Sequence, residues 1–316
     1  MNILANDGIS KSGVKALKSY GFKIITNNVA QEQLAKYINE NFIEAILVRS
    51  ATTVKKDLID SCPKLKLIGR GGVGMDNIDV KYAKEKNIHV INTPAASSAS
   101  VAELVFAHLY GGVRFLYDSN RNMPLEGESN FKSLKKYYSK GVELRGKTMG
   151  IIGFGRIGQE VAKIGIGVGM NVIACDQYID EVELKISFTE SKTLKYKIKT
   201  ISKTELLKKA DFVSLHVPSQ ENYVIDAKEI SLMKNGSAII NAARGGVINE
   251  VALVSALDEK KLSFACLDTF EKEPKPEIKI LMHPKISLTP HIGAATNEAQ
   301  DRIGLELANQ IKDIFK

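Results

Sequence analysis

Three glycines at fixed spacing form the sharpest chemical pattern in the chain. Gly153, Gly155 and Gly158 follow directly after an apolar run, Met149–Ile152, and a helix-like segment comes next. In this pattern the first glycine makes a tight turn, the second lets a pyrophosphate approach the backbone, and the third lets the helix pack closely on the strand. The helix N-terminus presents free N–H groups to an anion. The pattern predicts a dinucleotide site.

A carboxylate stands where such a site needs one. A second apolar run, Asn171–Cys175, leads into Asp176, 18 positions after Gly158. An acid at this place accepts hydrogen bonds from the adenosine ribose hydroxyls and repels a 2′-phosphate, so NAD is the expected cofactor rather than NADP. His216, in the string VSLHVPS, follows another strand-like run and is expected near the cofactor rather than in proton transfer.

Three further residues have side chains suited to moving a hydride to or from a 2-keto acid. Arg244 follows the apolar run Ser237–Ile240, and its planar guanidinium matches a carboxylate with two hydrogen bonds. His291 lies between Pro290 and a glycine-containing turn, and an imidazole titrates near neutrality, as a general acid or base must. Glu273 could hold that imidazole in one orientation and favour its protonated form.

Each of these residues also has an ordinary explanation, because most single arginines and glutamates are surface charges and most single histidines are structural. Structural roles are assigned to the remaining histidines, His89, His108 and His283. The three cysteines, Cys62, Cys175 and Cys266, are widely spaced and form no CxxC pair. Neither a metal site nor a disulfide framework is therefore expected.

Strand-like apolar runs alternate with helix-like segments along most of the chain, which predicts an α/β protein with parallel sheets. The first series has strands at Met1–Ala5, Lys23–Thr26, Ala45–Val48, Leu65–Gly69 and His89–Asn92. Amphipathic helices are predicted at Ala99–Arg114 and Glu298–Phe315. Residues 118–141, polar around PLEGESN, are predicted to be an irregular excursion, and a second series runs from Lys147 to Pro290.

The length of 316 residues suits two domains. We expect two Rossmann-like or flavodoxin-like doubly wound domains, with an active-site cleft between them. Because one last helix follows the second series, the first domain is predicted to be discontinuous. It comprises residues 1–98 plus 291–316 as the substrate (catalytic) domain, and residues 99–290 form the NAD-binding Rossmann domain.

Composition narrows the class of protein. With 44% hydrophobic and 25% charged residues, the chain has the make-up of an ordinary globular protein, and no apolar run reaches the roughly 20 residues of a membrane span. The N-terminus does not resemble a signal peptide, so a cytoplasmic location is expected. The net charge is +8, but the lysines are scattered, so no nucleic-acid partner is expected. The positive charge also suits an anionic cofactor and a phosphorylated substrate.

Five ordered strings make the chain similar to the D-isomer-specific 2-hydroxy-acid dehydrogenase family: ELRGKTMGIIGFGRIG, VSLHVPS, NAARGGVINE, LDTFEKEP and LTPHIGAAT. VRSATTV (48–54) and LIGRGGVGMDNIDV (67–80) also resemble family segments, so the resemblance covers essentially the full length. It implies an NAD-dependent oxidoreductase acting at C2 of a small hydroxy acid. By this resemblance Arg244 binds the substrate carboxylate, His291 is the acid/base and Glu273 is its partner.

The resemblance also implies the rest of the site and a homodimer built on the 99–114 helix and the excursion. The implied cofactor-binding residues are Gly153, Gly155, Arg156, Ile157, Gly158, Asp176, His216, Val217, Pro218, Ala242, Asp268 and Gly293, with Asp268 near the nicotinamide carboxamide. The implied substrate-binding residues are Arg49, Ser50, Arg70, Gly72, Val73, Gly74 and Asn77, with Asn77 close to the nicotinamide side. The GRGGVG stretch is open to a second interpretation, a tight strand-to-helix loop.

Arg49 and Arg70 favour a phosphorylated acid, because two arginines can hold the anionic groups of one substrate. In this respect the chain most resembles short family members that act on a phosphorylated acid. Either arginine could instead pair with an acid inside the protein, which leaves open a sister enzyme that reduces glyoxylate, hydroxypyruvate or a D-lactate-type keto acid. An NAD-sensing protein of the corepressor type is a further alternative, disfavoured by the set Arg244, Glu273 and His291.

The excursion carries a short basic run with two interpretations. Lys135, Lys136 and Lys140 could reach an anionic substrate from a neighbouring subunit. The ordinary interpretation is a solvated surface, which most runs of charge form.

Overall fold

The computed structural model describes residues 1–189 and 192–316, and it divides into two compact units. Unit 1 comprises Met1–Ser100 together with Ala294–Lys316, and unit 2 comprises Val101–Gly293. Unit 2 extends three residues beyond the boundary expected from the sequence, so His291 lies in the same unit as Glu273.

Unit 1 is built on five parallel strands in the order β2-β1-β3-β4-β5, an order typical of flavodoxin-like sheets. The strands are β1 (Asn2–Ala5), β2 (Lys23–Ile25), β3 (Ile43–Val48), β4 (Leu67–Arg70) and β5 (His89–Asn92). The helices are α1 (Lys11–Ser19), α2 (Leu34–Glu40), α3 (Lys56–Ser61), α4 (Val80–Glu85) and, at the end of the chain, α12 (Asn297–Phe315), with a 3₁₀ turn at Gln31–Gln33.

The last helix completes the core of unit 1. Ile303 and Leu307 of α12 are buried in one cluster with Leu17 of α1 and Leu47 of β3. The two helices meet at glycines: a Cβ on Gly13 would lie 2.8 Å from the Cα of Gly304. This approach lets α1 and α12 cover one face of the sheet together.

Unit 2 is built on six parallel strands in the order β13-β12-β11-β10-β6-β7. The strands are β6 (Thr148–Ile152), β7 (Asn171–Cys175), β10 (Phe212–Leu215), β11 (Ser237–Asn241), β12 (Leu262–Leu267) and β13 (Ile286–Leu288). The helices are α5 (Ser98–Val113), α6 (Leu116–Tyr138), α7 (Arg156–Val168), α8 (Lys203–Lys209), α9 (Ala227–Leu232), α10 (Glu250–Asp258) and α11 (Ile278–Leu281). The strand order reverses between β6 and β10, where doubly wound sheets bind their ligands. The predicted fold class is confirmed.

The prediction of an irregular segment at 118–141 is wrong, because α6 covers nearly all of it. The Tyr138 hydroxyl donates to Asp118 Oδ2 at 2.9 Å and accepts from Asn122 Nδ2 at 2.8 Å. In a straight helix, residues 20 apart would be separated by about 30 Å. The two arms of α6 therefore fold back on each other at Asn130, the one residue inside α6 with non-helical dihedral angles (φ −120°).

A β-hairpin that the sequence analysis did not predict follows β7. Strands β8 (Glu181–Thr189) and β9 (Lys192–Lys199) pair antiparallel as a separate two-stranded sheet. Leu184 and Ile198 are buried in the core of unit 2, whereas the other face carries ion pairs such as Lys195 Nζ to Glu183 at 3.0 Å. None of the helices in residues 1–189 and 192–316 combines the length and the hydropathy that a membrane crossing needs.

Candidate active site

The glycine turn has the backbone geometry that a pyrophosphate needs. Gly153, at the end of β6, has φ +91°, and a Cβ there would lie 2.4 Å from the His216 carbonyl oxygen. A Cβ on Gly158 would lie 2.2 Å from the Gly153 carbonyl oxygen, which any side chain would push away. Gly155 is the N-cap of α7, and a Cβ there would meet no atom within 4 Å. The N-terminus of α7 therefore opens onto free space, with Arg156 and Ile157 in its first turn.

Of the three other glycines in or directly after α7, two have a structural explanation. Gly169 ends the helix in the left-handed conformation (φ +87°), as a C-terminal cap does. A Cβ on Gly165 would lie 3.2 Å from a methyl group of Val172, so this glycine serves the packing of α7 on β7. A Cβ on Gly167 would meet nothing within 4 Å, and nothing in the structure explains this glycine.

Asp176 holds the glycine turn through hydrogen bonds from backbone amides. Its Oδ2 accepts a hydrogen bond from Phe154 N at 2.6 Å, and its Oδ1 accepts from Tyr178 N and Ile179 N at 2.9 and 3.2 Å. A carboxylate can accept about four hydrogen bonds. One position on Oδ2 is thus left for a ribose hydroxyl.

We expect Asp176→Ala to raise the Kd of NAD by about 10–100-fold, the worth of one or two hydrogen bonds to a charged acceptor. The preference for NAD over NADP should shrink, since the charge that repels a 2′-phosphate is gone. Fluorescence titration with both reduced cofactors measures the ratio. Asp180→Ala, an exposed acid nearby, is the matched control. An unaltered NAD/NADP ratio in the Asp176 variant would contradict the assignment.

His216 faces the same turn and is neutral. Its Nε2 lies 2.8 Å from Ser214 Oγ, and its buried Nδ1 has no hydrogen-bond partner among residues 1–189 and 192–316. Burial lowers the pKa of His216 to about 3. The backbone carbonyl group of His216 packs against Gly153, so this residue adjoins the glycine turn.

The His216 pKa predicts an acid-sensitive stability. Below about pH 6.5 the unfolded state binds a proton at this ring, whereas the folded state does so only near pH 3. Stability should therefore fall with decreasing pH in that window, by up to about 1.4 kcal/mol per pH unit from this group. In urea titrations between pH 7 and 4, His216→Asn should flatten the slope, whereas the exposed control His89→Asn should not. Equal slopes in all three proteins would exclude this effect.

His291 and Glu273, which the sequence analysis predicts to act together, are in contact within unit 2. His291 Nδ1 lies 2.8 Å from Glu273 Oε2, and Glu273 Oε1 accepts from Phe270 N at 3.0 Å. Although partial burial opposes it, the hydrogen bonds from His291 and Phe270 lower the pKa of Glu273, and the charge of Arg244 adds to this effect. Glu273 is thus a carboxylate at neutral pH, with one oxygen bound to Phe270 N and the other to His291 Nδ1.

Arg244 lies on the loop that follows β11. Its Nη1 donates to the Ala243 carbonyl oxygen at 2.6 Å, and Asn241 Nδ2 donates to the Arg244 carbonyl oxygen at 2.9 Å. The side chain is half-buried. The charge of Arg244 contributes to the lowered pKa of Glu273.

Asp268 organises the turn that carries His291. Its Oδ1 accepts from Thr289 Oγ1 at 2.6 Å and from Ile292 N at 2.8 Å, and its Oδ2 accepts from Gly293 N at 2.8 Å. His291 itself has φ +54°, a left-handed conformation that non-glycine residues rarely adopt. The other predicted cofactor residues follow the carboxyl ends of neighbouring strands: Val217 and Pro218 after β10 and Ala242 after β11.

In unit 1, two side chains hold the loop of Arg49 and Ser50. Asp7 Oδ2 accepts from Arg49 N at 2.6 Å and from Thr52 N at 3.1 Å. Asn77 Nδ2 donates to the carbonyl oxygens of Arg49 and Thr52, at 2.8 and 2.6 Å. The Asn77 amide, expected near the nicotinamide, thus has its donors committed to this loop. The sequence analysis missed Asp7, which lies in no recognised string, and gave no role to Thr52, which lies within VRSATTV.

Arg70, one of the two arginines predicted to bind phosphate, contacts the loop of its own unit. Arg70 Nη1 donates to the Gly71 carbonyl oxygen at 2.8 Å, and a Cβ on Gly72 (φ +154°) would lie 2.6 Å from that nitrogen. Arg70 therefore folds over the glycine loop of its own unit, and a side chain at Gly72 would displace its guanidinium from this position. Gly74 follows in the same loop, and Val73 is exposed.

A family model describes most of unit 2. Residues 106–293 match the model for the NAD binding domain of the D-isomer specific 2-hydroxyacid dehydrogenases. Among curated proteins, the chain is 40% identical to the D-3-phosphoglycerate dehydrogenase of Methanocaldococcus jannaschii, with 100% of this chain and 58% of that protein covered. It is also 40% identical to the hydroxypyruvate reductase of Thermotoga maritima, with 97% and 95% covered. The chain thus spans little more than half of the first relative and nearly all of the second.

Solved structures show the same fold. A glyoxylate reductase from Paecilomyes thermophila superposes with a TM-score of 0.82 at 28% identity, covering 99% of this chain and 94% of that one. The D-lactate dehydrogenase of Aquifex aeolicus, complexed with NAD and lactic acid, superposes with a TM-score of 0.75 at 31% identity, covering 99% and 95%. The resemblance seen in the sequence is confirmed, and unit 2 is an NAD-binding domain.

Proposed function

Because the chain belongs to the D-isomer specific 2-hydroxyacid dehydrogenase family, we propose that it oxidises or reduces C2 of a small D-2-hydroxy acid with NAD. The observation that carries the proposal is the His291–Glu273 pair at 2.8 Å in the same unit as the glycine turn. The glycine turn and Asp176 would hold NAD, which would supply a hydride acceptor for C2 in oxidation and a hydride donor in reduction. His291 takes the hydroxyl proton in oxidation and gives it back in reduction.

The other residues have positioning and charge roles in this proposal. Glu273 orients the imidazole and stabilises its protonated form. Arg244 binds the substrate carboxylate and stabilises charge at the C2 oxygen. Asp268 holds the turn of His291 and lies toward the carboxamide side of the cofactor.

For the substrate we propose D-3-phosphoglycerate, oxidised to 3-phosphohydroxypyruvate as the first step of serine biosynthesis. Support comes from Arg49 and Arg70 in unit 1, with Ser50, Asn77 and the Gly72–Gly74 backbone as further contacts. The relative from M. jannaschii bears that name. Since Cys62, Cys175 and Cys266 are free thiols, we propose a cytoplasmic location.

Reduction of hydroxypyruvate or glyoxylate is the second candidate. It is favoured by the T. maritima hydroxypyruvate reductase, which is equally similar and of nearly the same length. The engagement of Arg70 with its own loop also favours it, because that guanidinium has fewer donors left for a phosphate.

Initial rates decide between the two. NADH formation with D-3-phosphoglycerate, D-glycerate and D-lactate is compared with NADH consumption on hydroxypyruvate and glyoxylate, and NADP replaces NAD in parallel. A strong preference for phosphoglycerate supports the first proposal, and Arg49→Gln should then raise the KM of phosphoglycerate far more than that of glycerate. Activity restricted to unphosphorylated acids would support the second. No activity with any of these acids would favour an NAD-binding sensor.

We also propose a homodimer that buries the region of α6. Large apolar side chains are exposed there at high density, including Leu116 (63%), Leu125 (80%) and Phe131 (55%). Such a patch is typical of a surface that a partner covers. Sedimentation velocity should give a dimer, and Leu125→Glu should shift it toward monomer; a wild-type monomer at micromolar concentration would exclude the proposal.

A further inference from the structure

A buried histidine on α5 is joined to the segment that leads into the His291 turn. His108 is 5% exposed, and its Nδ1 and Nε2 each lie 2.8 Å from a hydroxyl, Ser287 Oγ and Thr289 Oγ1 respectively. Ser287 belongs to β13 and Thr289 follows its last residue, so the two side chains leave the same face of the extended chain. One imidazole ring therefore bridges both hydroxyls.

Close packing of α5 on β12 brings the ring there. A Cβ on Gly112 would lie 2.2 Å from the ring of Phe264, so only glycine allows the helix to approach so near. Cys266 is fully buried beneath the helix, and its Sγ lies 3.6 Å from the His108 carbonyl oxygen. The backbone of His108 is thus held over β12 while its ring reaches β13.

Ser287, His108, Thr289 and Asp268 form a series of hydrogen-bonded side chains. The direction of each hydrogen bond follows from Asp268, the acceptor at its end. The Asp268 carboxylate can only accept, so the Thr289 hydroxyl donates to it at 2.6 Å. The Thr289 oxygen is then free to accept from Nε2–H of His108, and Nδ1 accepts from the Ser287 hydroxyl. This arrangement needs a neutral ring, and burial lowers the pKa of His108 in spite of the opposing charge of Asp268.

The series ends on the turn that carries His291. Asp268 accepts from Ile292 N and Gly293 N, the two amides that follow His291 directly. These bonds hold His291 in its left-handed conformation (φ +54°). If the Asp268 carboxylate moved, both amides and the imidazole would move with it.

We propose that His108 is a positioning residue for this active site. Through Thr289 and Asp268 it sets the place of the turn 291–293 and thereby of the His291 imidazole. The inference rests on the proposed acid–base role of His291. The ring of His108 is buried and takes no proton from the substrate; its work is to orient the Thr289 hydroxyl.

The test compares kcat, KM and an isotope effect in His108→Leu and the wild type, with the 2-hydroxy acid that the wild type turns over fastest. We expect kcat to fall by about 10–100-fold, the usual consequence of displacing a reacting group by a fraction of an ångström to 1 Å. The KM of NAD should change less than kcat, since the glycine turn and Asp176 are untouched and only the Asp268 end of the cofactor site is affected. With substrate deuterated at C2, the primary isotope effect on kcat should rise, because transfer becomes rate-limiting.

Three further variants separate positioning from mere stability. His108→Gln offers a donor and an acceptor on one planar group and should restore most of kcat. Ser287→Ala removes only the partner of Nδ1 and should lower kcat by about two- to tenfold, the worth of one hydrogen bond. Val105→Ala, which opens a small cavity on the same helix, should lower the melting temperature and leave kcat and the isotope effect unchanged.

The outcomes distinguish the inference from the proposal on which it rests. Wild-type kcat in both His108→Leu and Ser287→Ala, beside an inactive His291→Ala, would overturn the positioning role alone. An active His291→Ala would overturn the acid–base assignment itself. If His108→Leu does not fold, the other two variants provide the test. Wild-type kcat in Ser287→Ala would contradict the inference. A folded His108→Gln protein without activity would contradict it as well.

Discussion

Replacement of His291 by alanine is expected to lower turnover by about 10²–10⁴-fold, the usual contribution of a positioned general acid or base. The imidazole is held by Glu273 at 2.8 Å and its turn is held by Asp268, so the substitution removes a group whose position the protein fixes. NAD binding should change little, because the glycine turn and Asp176 do not contact His291.

Steady-state kinetics with a separate titration of NADH measure this expectation. Glu273→Gln keeps a hydrogen-bonding group beside the ring but removes the charge, so its turnover should lie between those of the wild type and His291→Ala. His89→Ala, an exposed histidine of unit 1, serves as the control with normal turnover. Near-normal turnover in His291→Ala would refute the assignment.

The parts of this site that could be predicted are those that depend only on residue types and on their spacing along a short stretch of sequence. The turn at Gly153 follows from an apolar strand, the glycine spacing and the helix after it. Asp176 follows from its distance along the chain. For Arg244 and His291 the residue types suggested the chemistry, but the 2.8 Å contact of His291 with Glu273 joins positions 18 apart through loops that no periodicity describes.

The arms of α6 could not be predicted because their local sequence opposes a helix. Pro124 and Gly127 both have low helix propensity. The arms are held instead by contacts between distant positions, such as the Tyr138 hydroxyl with Asp118 and the Phe115 ring 5.9 Å from the Tyr138 ring. Tertiary packing therefore outweighs propensity in this segment.

The hairpin β8–β9 was open to prediction. Val182, Leu184 and Ile186 alternate with charged or polar residues, the period of a half-buried strand. The predicted series from Lys147 to Pro290 does not include this antiparallel pair. By contrast, His108 and Thr289 are 181 positions apart, and no local pattern in the sequence joins them.

Arg244→Lys is expected to lower kcat/KM for the 2-hydroxy acid by about 10²-fold. A guanidinium can give two parallel hydrogen bonds to a carboxylate, whereas an ammonium is a point charge that cannot reproduce this geometry. Each hydrogen bond to a charged group is worth about 1.5–3 kcal/mol, so the loss of one accounts for a change of this size. Arg244 Nη1 also donates to the Ala243 carbonyl oxygen, so the loop itself should loosen.

Whether the lower kcat/KM of Arg244→Lys comes from KM or from kcat indicates the role of Arg244. If it binds the carboxylate equally in the ground state and the transition state, KM rises and kcat is preserved; if it also stabilises charge at the C2 oxygen, kcat falls as well. We expect both to change. Added guanidinium ion should restore part of the activity of Arg244→Ala, and Arg145→Lys, at an exposed arginine of the same unit, should behave as the wild type. Unchanged KM and kcat in Arg244→Lys would mean that the carboxylate is held elsewhere, with Arg49 of unit 1 the next residue to test.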